Sequence, residues 1–387
     1  MVSSYKIRYC NLCLFPETKP DLKFDENGTC SACQAYKNRS NIDWKQREEQ
    51  FQSLIKKIVT KSSSNWDCII PVSGGKDSTA QVLKVLELNL NPLCVTATTC
   101  DLSEIGRKNI ENIKGFGVDY IEFSPNKIVR KKLNKYCLQT VGDISWPEHV
   151  GIFTIPVRVA VNYQVPLIIW GENSQNEYGG PTTAQNSFTL DRRWLEEFGG
   201  LLGLRVSELS KLLTIDEKYL YPYFYPSEQE LQKLGIQGIF LGHFFPWDGL
   251  ANYLLAQSFG FTSLGKRIEG SMVDYENLDN FQAGIHDYFK YLKFGFGRTT
   301  DLVSMQIRRG RITREQGLKI VQNYDGEYPK SYLGKSLKDI LNEIDLSENE
   351  FNSICDKFTN KKLFRTNSGV IERKSDRTPL KINYDNF

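Results

Sequence analysis

Six consecutive residues, Ser73, Gly74, Gly75, Lys76, Asp77 and Ser78, combine the side chains and the spacing needed to hold a polyphosphate. They follow the apolar run Ile69-Ile70-Pro71-Val72 and precede a helical pattern, so the order reads strand, tight turn, helix N-terminus. Unpaired backbone N–H groups and the helix dipole at such a turn favour an anion. Gly74 and Gly75 permit unusual torsions and close approach of the backbone to a ligand. Lys76 adds a positive charge, Ser73 and Ser78 add hydroxyls, and Asp77 can hold Mg²⁺ directly or through phosphate and water. The loop is not a Walker A motif, because the position five residues before Gly75 is Ile70 rather than glycine. It is not a dinucleotide fingerprint either, because the G-x-G-x-x-G spacing is absent.

A second constellation lies near the start of the chain. Cys10, Cys13, Cys30 and Cys33 form two C-x-x-C pairs with sixteen residues between them, the spacing of a four-cysteine zinc site. With four thiolates on one ion no coordination position is open, so the expected role is structural. An iron–sulfur cluster also takes four cysteines. A redox C-x-x-C is disfavoured by the missing thioredoxin-like surroundings, and disulfides by the reducing compartment expected for this chain. Residues 24–30 read as a strand returning through an Asn27-Gly28 turn. The remaining cysteines, Cys68, Cys94, Cys100, Cys137 and Cys355, are scattered and carry no nucleophile motif.

The elements that must position these groups alternate. Strands are predicted at 67–72, 92–99, 119–123, 166–170 and 238–241, and helices at 42–60, 78–88, 104–116, 127–138 and 149–163. Such alternation predicts an α/β fold with a parallel sheet covered on both faces, and a ligand crevice beyond the carboxyl ends of the strands. Four loops should therefore converge: 73–78, the stretch from Thr96 to Asp101, Gly171-Glu172-Asn173, and 242–248 with His243 and Trp247. Glu172 at a strand end can bind Mg²⁺, a ribose hydroxyl or an attacking amine, and it can equally be a helix cap. Arg298 and Asp301, in a stretch read as interrupting the C-terminal helices, can pair with phosphate and with metal, or with each other. Three histidines, His149, His243 and His286, are too few for a histidine-rich metal centre.

The chain of 387 residues is long enough for two or three domains. The expected division is 1–60, a zinc-binding segment plus helix; 61–260, the domain of the phosphate-type loop with a helical insertion near 191–235; and 261–387, a mainly helical region whose tail from Thr366 is a loop or short hairpin. A net charge of +3 singles out no partner class. No apolar run is long enough to cross a bilayer and the first residues lack a signal-peptide core, so the expectation is a cytoplasmic protein with no membrane partner.

The loop at 73–78 resembles the PP-loop of ATP pyrophosphatases, whose fold is the Rossmann-like adenine nucleotide α-hydrolase type. Taken with Tyr9–Cys13 and Cys30–Cys33, with 101–107, 170–181, 241–249 and 293–311, the chain resembles the N-acetyl sugar amidotransferases, the WbpG/PseA/LegX group of bacterial surface-polysaccharide and flagellin-sugar pathways. The resemblance implies that ATP activates the acetamido group of a nucleotide-linked sugar and that ammonia converts it to an acetamidino group. It further implies a partner glutaminase and a cyclase-like subunit that delivers the ammonia. On this reading Ser73, Gly74, Gly75, Lys76, Asp77, Ser78, Thr96 and Gly171 bind ATP. Lys76, Asp77, Glu172 and Asp301 are the catalytic candidates, with Mg²⁺ on Asp77. Arg158, Asn173, His243, Trp247 and Arg298 contact the sugar nucleotide, and zinc is structural. Two rivals compete: a PP-loop tRNA-thiolating enzyme, which needs a sulfur carrier such as Cys100 or Cys137 near ATP, and a non-enzymatic zinc-ribbon adaptor. Nucleic acid is not the expected partner.

Overall fold

A computed structural model describes residues 6–60, 62–99, 101–190 and 201–382. Strands β1 (Cys68–Pro71), β2 (Pro92–Ala97), β3 (Asp119–Phe123), β4 (Leu167–Trp170), β5 (Thr189–Leu190) and β6 (Gln237–Phe240) form one sheet in the order β3-β2-β1-β4-β6-β5. All pairings are parallel except β5 against β6. The sequence reading anticipated a parallel sheet, and five of the six strands form it. A two-residue edge strand is too short to carry a periodicity, so β5 left no signal.

The intervening helices are α1 (Ser31–Asn38), α2 (Trp44–Val59), α3 (Lys76–Glu87), α4 (Glu104–Lys114), α5 (Lys127–Val141), α6 (Trp146–Tyr163) and α7 (Ser174–Tyr178). Successive strand residues point to opposite faces, and both faces are covered. Ile70, Cys94, Leu167, Ile169 and Ile239 pack against Phe51 and Ile55 of α2, Val82 and Val85 of α3, and Ile113 of α4. Ile69, Leu93, Val95, Ile168 and Phe240 pack on the other face against Ile155, Val159 and Ala160 of α6. The chain runs from β1 to β2 on one side of β1, while β4 lies on the other. The carboxyl end of β1 is thus a topological switch point, where open parallel sheets leave a crevice.

Beyond the sheet, helices Ala283–Phe294, Leu337–Asn342 and Glu348–Phe358 bury Ile285, Phe289, Leu341 and Phe351 in a separate core. Arg298 to Asp301 do not interrupt a helix. They are the first turn of the helix Arg298–Arg308, N-capped by Gly297, after the preceding helix ends at Gly295. Thr366–Asn367 and Val370–Ile371 pair as the short hairpin expected of the tail. The predicted helical insertion begins outside the described residues; its remainder holds Val206–Leu212, Glu217–Leu220 and Glu228–Leu234 as short helices. Among the described residues no helix is long and apolar enough to cross a membrane.

Candidate active site

A cavity of about 420 Å³ opens at the switch point, between the carboxyl ends of the strands and the C-terminal helices. Ser73, Lys76, Asp77 and Ser78 form one wall, Gly171, Glu172 and Trp247 a second, and Tyr275, Glu276, Arg298 and Arg309 close it from the C-terminal side.

The phosphate-type loop is built as its sequence requires. β1 ends at Pro71, and Gly74 takes φ +81°, in the left-handed region that favours glycine. A Cβ at Gly74 would also stand 2.9 Å from Ile110 Cγ1, so the turn is seated directly on α4. Gly75 caps α3 in extended conformation; its N–H donates to Ser73 Oγ (3.2 Å), and Ser78 Oγ donates to its carbonyl (3.0 Å).

Lys76 is buried and its Nζ pairs with Asp77 Oδ2 at 2.5 Å and Glu276 Oε1 at 2.7 Å. Burial works against its charge, but the two carboxylates hold its pKa above the ordinary lysine value. Asp77 Oδ1 accepts from Asn252 Nδ2 at 2.8 Å. Glu172 stands across the cavity. Burial, followed by the nearby Asp77 carboxylate, pushes its pKa up to about 7. A fourth carboxyl, Glu148 of α6, is also buried against the cavity, with Oε2 accepting from Asn134 Nδ2 at 2.8 Å and burial raising its pKa to about 7.

The raised pKa of Glu172 has a definite sign. The folded state holds a proton that the unfolded state, with an ordinary carboxyl near pH 4.5, has released. That contribution is fully present below about pH 4.5 and is lost as pH rises through about 7. Glu172→Gln is therefore expected to flatten the pH dependence of the melting temperature between pH 5 and 8. An unchanged slope would show that Glu172 is not proton-loaded.

Arg298 and Arg309 bring positive charge to the far wall. Arg298 donates to both Asp287 oxygens, at 3.2 and 3.3 Å, and Arg309 reaches Glu177 Oε2 at 3.2 Å and the Trp247 carbonyl at 3.1 Å. Glu177 also pairs with Arg39, so the wall binds the N-terminal segment, α7 and the C-terminal helices together.

Of the residues singled out from sequence, Ser73, Lys76, Asp77, Ser78, Gly171, Glu172, Trp247 and Arg298 line the cavity. Gly74 and Gly75 shape the loop beside it. The others stand elsewhere. Thr96 lies buried beneath the loop, its hydroxyl donating to the Val72 carbonyl at 2.5 Å. Asn173 caps α7 and donates to the carbonyls of Ala184 (2.7 Å) and Ser187 (3.0 Å). His243 turns to Arg47 and Phe188, where burial and the Arg47 charge push its pKa down to about 4. Arg158 stacks 3.8 Å over Tyr221. Asp301 is buried in an ion pair with Lys290, and Asp101 pairs with Lys335. Glu276 and Glu148 join the cavity from positions without a motif, Asn252 supports it through its hydrogen bond to Asp77, and Arg309 comes from the 293–311 stretch that carries part of the family resemblance; only the fold brings Glu276 to Lys76, two hundred residues away in sequence.

The cysteine pairs also converge. All four thiols are buried and their sulfurs lie within 4.8 Å of one another, with Cys10–Cys33 at 3.8 Å and Cys13–Cys30 at 3.7 Å. Tetrahedral zinc with Zn–S bonds of about 2.3 Å separates its sulfurs by about 3.8 Å. A disulfide needs about 2.05 Å, and a multi-iron cluster interposes several atoms and spreads its cysteines further. The donor set and its spacing therefore fit one tetrahedral ion. Arg314 donates to the carbonyls of Cys13 (3.2 Å) and Cys10 (3.3 Å), tying the knot to the C-terminal helices.

No curated protein matches the chain in sequence. A loose likeness in solved structures is to the NH3-dependent NAD synthetase from Campylobacter jejuni subsp. jejuni NCTC 11168 in complex with the nitrate ion, at 15% identity and a TM-score of 0.29, covering 57% of this chain and 97% of that one. Residues 269–376, which supply Tyr275, Glu276, Arg298 and Arg309 to the cavity, match the family described as LPS biosynthesis protein WbpG-like, C-terminal domain. Residues 269–376 are thus similar to the C-terminal domain of WbpG-like LPS biosynthesis proteins, and they follow a mostly parallel sheet that carries the Ser-Gly-Gly-Lys-Asp-Ser loop at its switch point.

Proposed function

We propose that this chain is an ATP-dependent amidotransferase that converts the acetamido group of a nucleotide-linked sugar to an acetamidino group, for bacterial surface-polysaccharide or flagellin-sugar synthesis. The observation that carries the reading is the joint construction of one cavity: a phosphate-type loop with its lysine on one side and WbpG-like arginines on the other. An amide carbonyl resists ammonia because its oxygen leaves poorly. Attack of that oxygen on the α-phosphorus of ATP expels pyrophosphate and gives an adenylated imidate. Ammonia then adds to the carbon, gives up a proton, and AMP departs.

The residues divide this work. Loop 73–78 receives the triphosphate, and Lys76 stabilises charge developing on it. Asp77 and Glu276 offer carboxylates for Mg²⁺, which would screen the phosphates and polarise the reacting phosphoryl group. Glu276 competes with an incoming phosphate for Lys76, so ATP binding exchanges one anionic partner for another. Glu172, with its pKa near neutrality, is suited to take the proton that ammonia loses. Arg298 and Arg309 are the candidates for the diphosphate of the sugar nucleotide. Ammonia would come from a separate glutaminase through a cyclase-like subunit, and the cysteine knot would hold zinc structurally.

A tRNA-thiolating reaction would need a sulfur carrier beside ATP. Cys68 and Cys94 lie in the sheet core, Cys137 on the buried face of α5 with Trp146 and Val150 of α6, and Cys355 in the C-terminal core. Cys100 lies outside the described residues. The test is mass spectrometry of a reaction containing the protein, MgATP, ammonium and a panel of nucleotide-linked acetamido sugars, run again with glutamine and candidate glutaminase and cyclase subunits. The expected product has O replaced by NH and forms together with AMP and pyrophosphate. No sugar change in either arm, with AMP formed on tRNA instead, would sink the proposal.

A further inference from the structure

Away from the cysteine knot, two of the three histidines meet a buried aspartate. Asp143 lies in the turn between α5 and α6, His149 sits in α6, and His286 comes from the helix Ala283–Phe294 of the WbpG-like domain. Asp143 Oδ1 is 2.8 Å from His286 Nδ1, and Oδ2 is 3.6 Å from His149 Nδ1. The two imidazoles meet nearly edge to face, with centroids 4.9 Å apart and an angle of 84°. One donor atom from each residue lies within 4.8 Å of the other two. His149 Nδ1 is buried and has no hydrogen-bond partner, since 3.6 Å is beyond hydrogen-bond reach. A buried polar atom left this way calls for a partner.

We propose that Asp143, His149 and His286 bind one divalent first-row transition-metal ion of the zinc or cobalt class, in a site independent of the cysteine knot. Two imidazole nitrogens and one carboxylate oxygen are the donors such ions take. Bonds of about 2.0–2.1 Å in tetrahedral geometry separate neighbouring donors by about 3.4 Å. The 2.8 and 3.6 Å contacts are made by different oxygens of Asp143, and one donor from each residue lies within 4.8 Å of the other two, so side-chain rotation would bring three donors to that spacing around the ion. It would replace the Asp143–His286 hydrogen bond and give His149 Nδ1 its partner. Asp143 is already oriented by the Ser145 N–H, which donates to Oδ1 at 2.9 Å, the kind of outer support that metal carboxylates receive. Three protein ligands leave a position open. The His149 and His286 side chains keep 30% and 28% of their exposure, so water or an anionic oxygen can reach it. The ion would also fasten the WbpG-like domain to α6.

Metal analysis of the purified full chain, followed by titration with Co²⁺, tests this. Metal already bound plus Co²⁺ taken up should total two per chain. The second equivalent should show ligand-field bands without the intense thiolate charge transfer that cobalt acquires in a four-cysteine site. His149→Gln with His286→Gln should lose this equivalent alone. In the unaltered protein, Co²⁺ should broaden the imidazole proton resonances of His149 and His286 but not those of His243, a readout that needs no variant to fold. Saturation at one metal per chain, a second equivalent that survives loss of both histidines, or broadening confined to His243 would each overturn the site.

Discussion

Lys76→Ala is expected to lower AMP-forming turnover by about 10²–10³-fold or more, because Lys76 is the buried cation on the wall where phosphate charge would develop. The variant should remain folded, since the sheet core beneath the loop does not depend on the lysine. It should nevertheless be less stable. Removing the ammonium leaves Asp77 and Glu276 with no cation between them, and breaking a buried pair by deleting one partner costs more than the pair itself contributes. The combined variant Lys76→Ala/Glu276→Gln separates the two effects. Its melting temperature should recover towards that of the parent while turnover stays low. Unchanged turnover in Lys76→Ala would refute the placement of ATP. Recovery of turnover in the double variant would show that Lys76 serves only to neutralise Glu276.

Chelation, or Cys13→Ser, should loosen the N-terminal segment and weaken activity at a distance. The knot has a small core of its own, built from Cys10, Cys13, Phe15, Cys30, Ala32 and Cys33. Too few apolar groups are buried there to fold it alone, whereas a structural zinc site contributes on the order of 10 kcal/mol. The damage has a path to the cavity. Tyr178 packs against the knot and also lines the cavity, and Ser31 Oγ donates to the Gly179 carbonyl at 2.6 Å. Leu14 is buried with Val303 and Val321 of the C-terminal helices. Limited proteolysis should cut Cys13→Ser within residues 6–40 while the sheet domain stays intact, and metal content should fall by one per chain. A protease pattern and a metal content equal to the parent's would reject a structural ion at the cysteines.

The features behind both expectations are legible in the sequence. The phosphate-type loop and the cysteine pairs are local: glycines, a lysine and fixed C-x-x-C spacings constrain a few neighbouring residues, and their chemistry follows from covalent proximity. The parallel sheet was legible too, because burial on two faces leaves apolar strands between amphipathic helices. Glu172 and Trp247 could be placed from sequence because strand ends define the crevice.

What sequence alone determined, then, is the sheet, the loop at its switch point and the metal-type knot, each written in a short window. Tertiary structure decided which distant groups complete them. It set Glu276 against Lys76, Asn252 against Asp77 and Arg309 beside the cavity. It turned His243 and Asn173 to structural partners, and gave Asp301 to Lys290. It gathered Asp143, His149 and His286, which a count of histidines had set aside. The reason is physical: a side chain's partner is whatever packing brings within about 3 Å, and for residues on separate elements no periodicity or spacing in the chain records that distance.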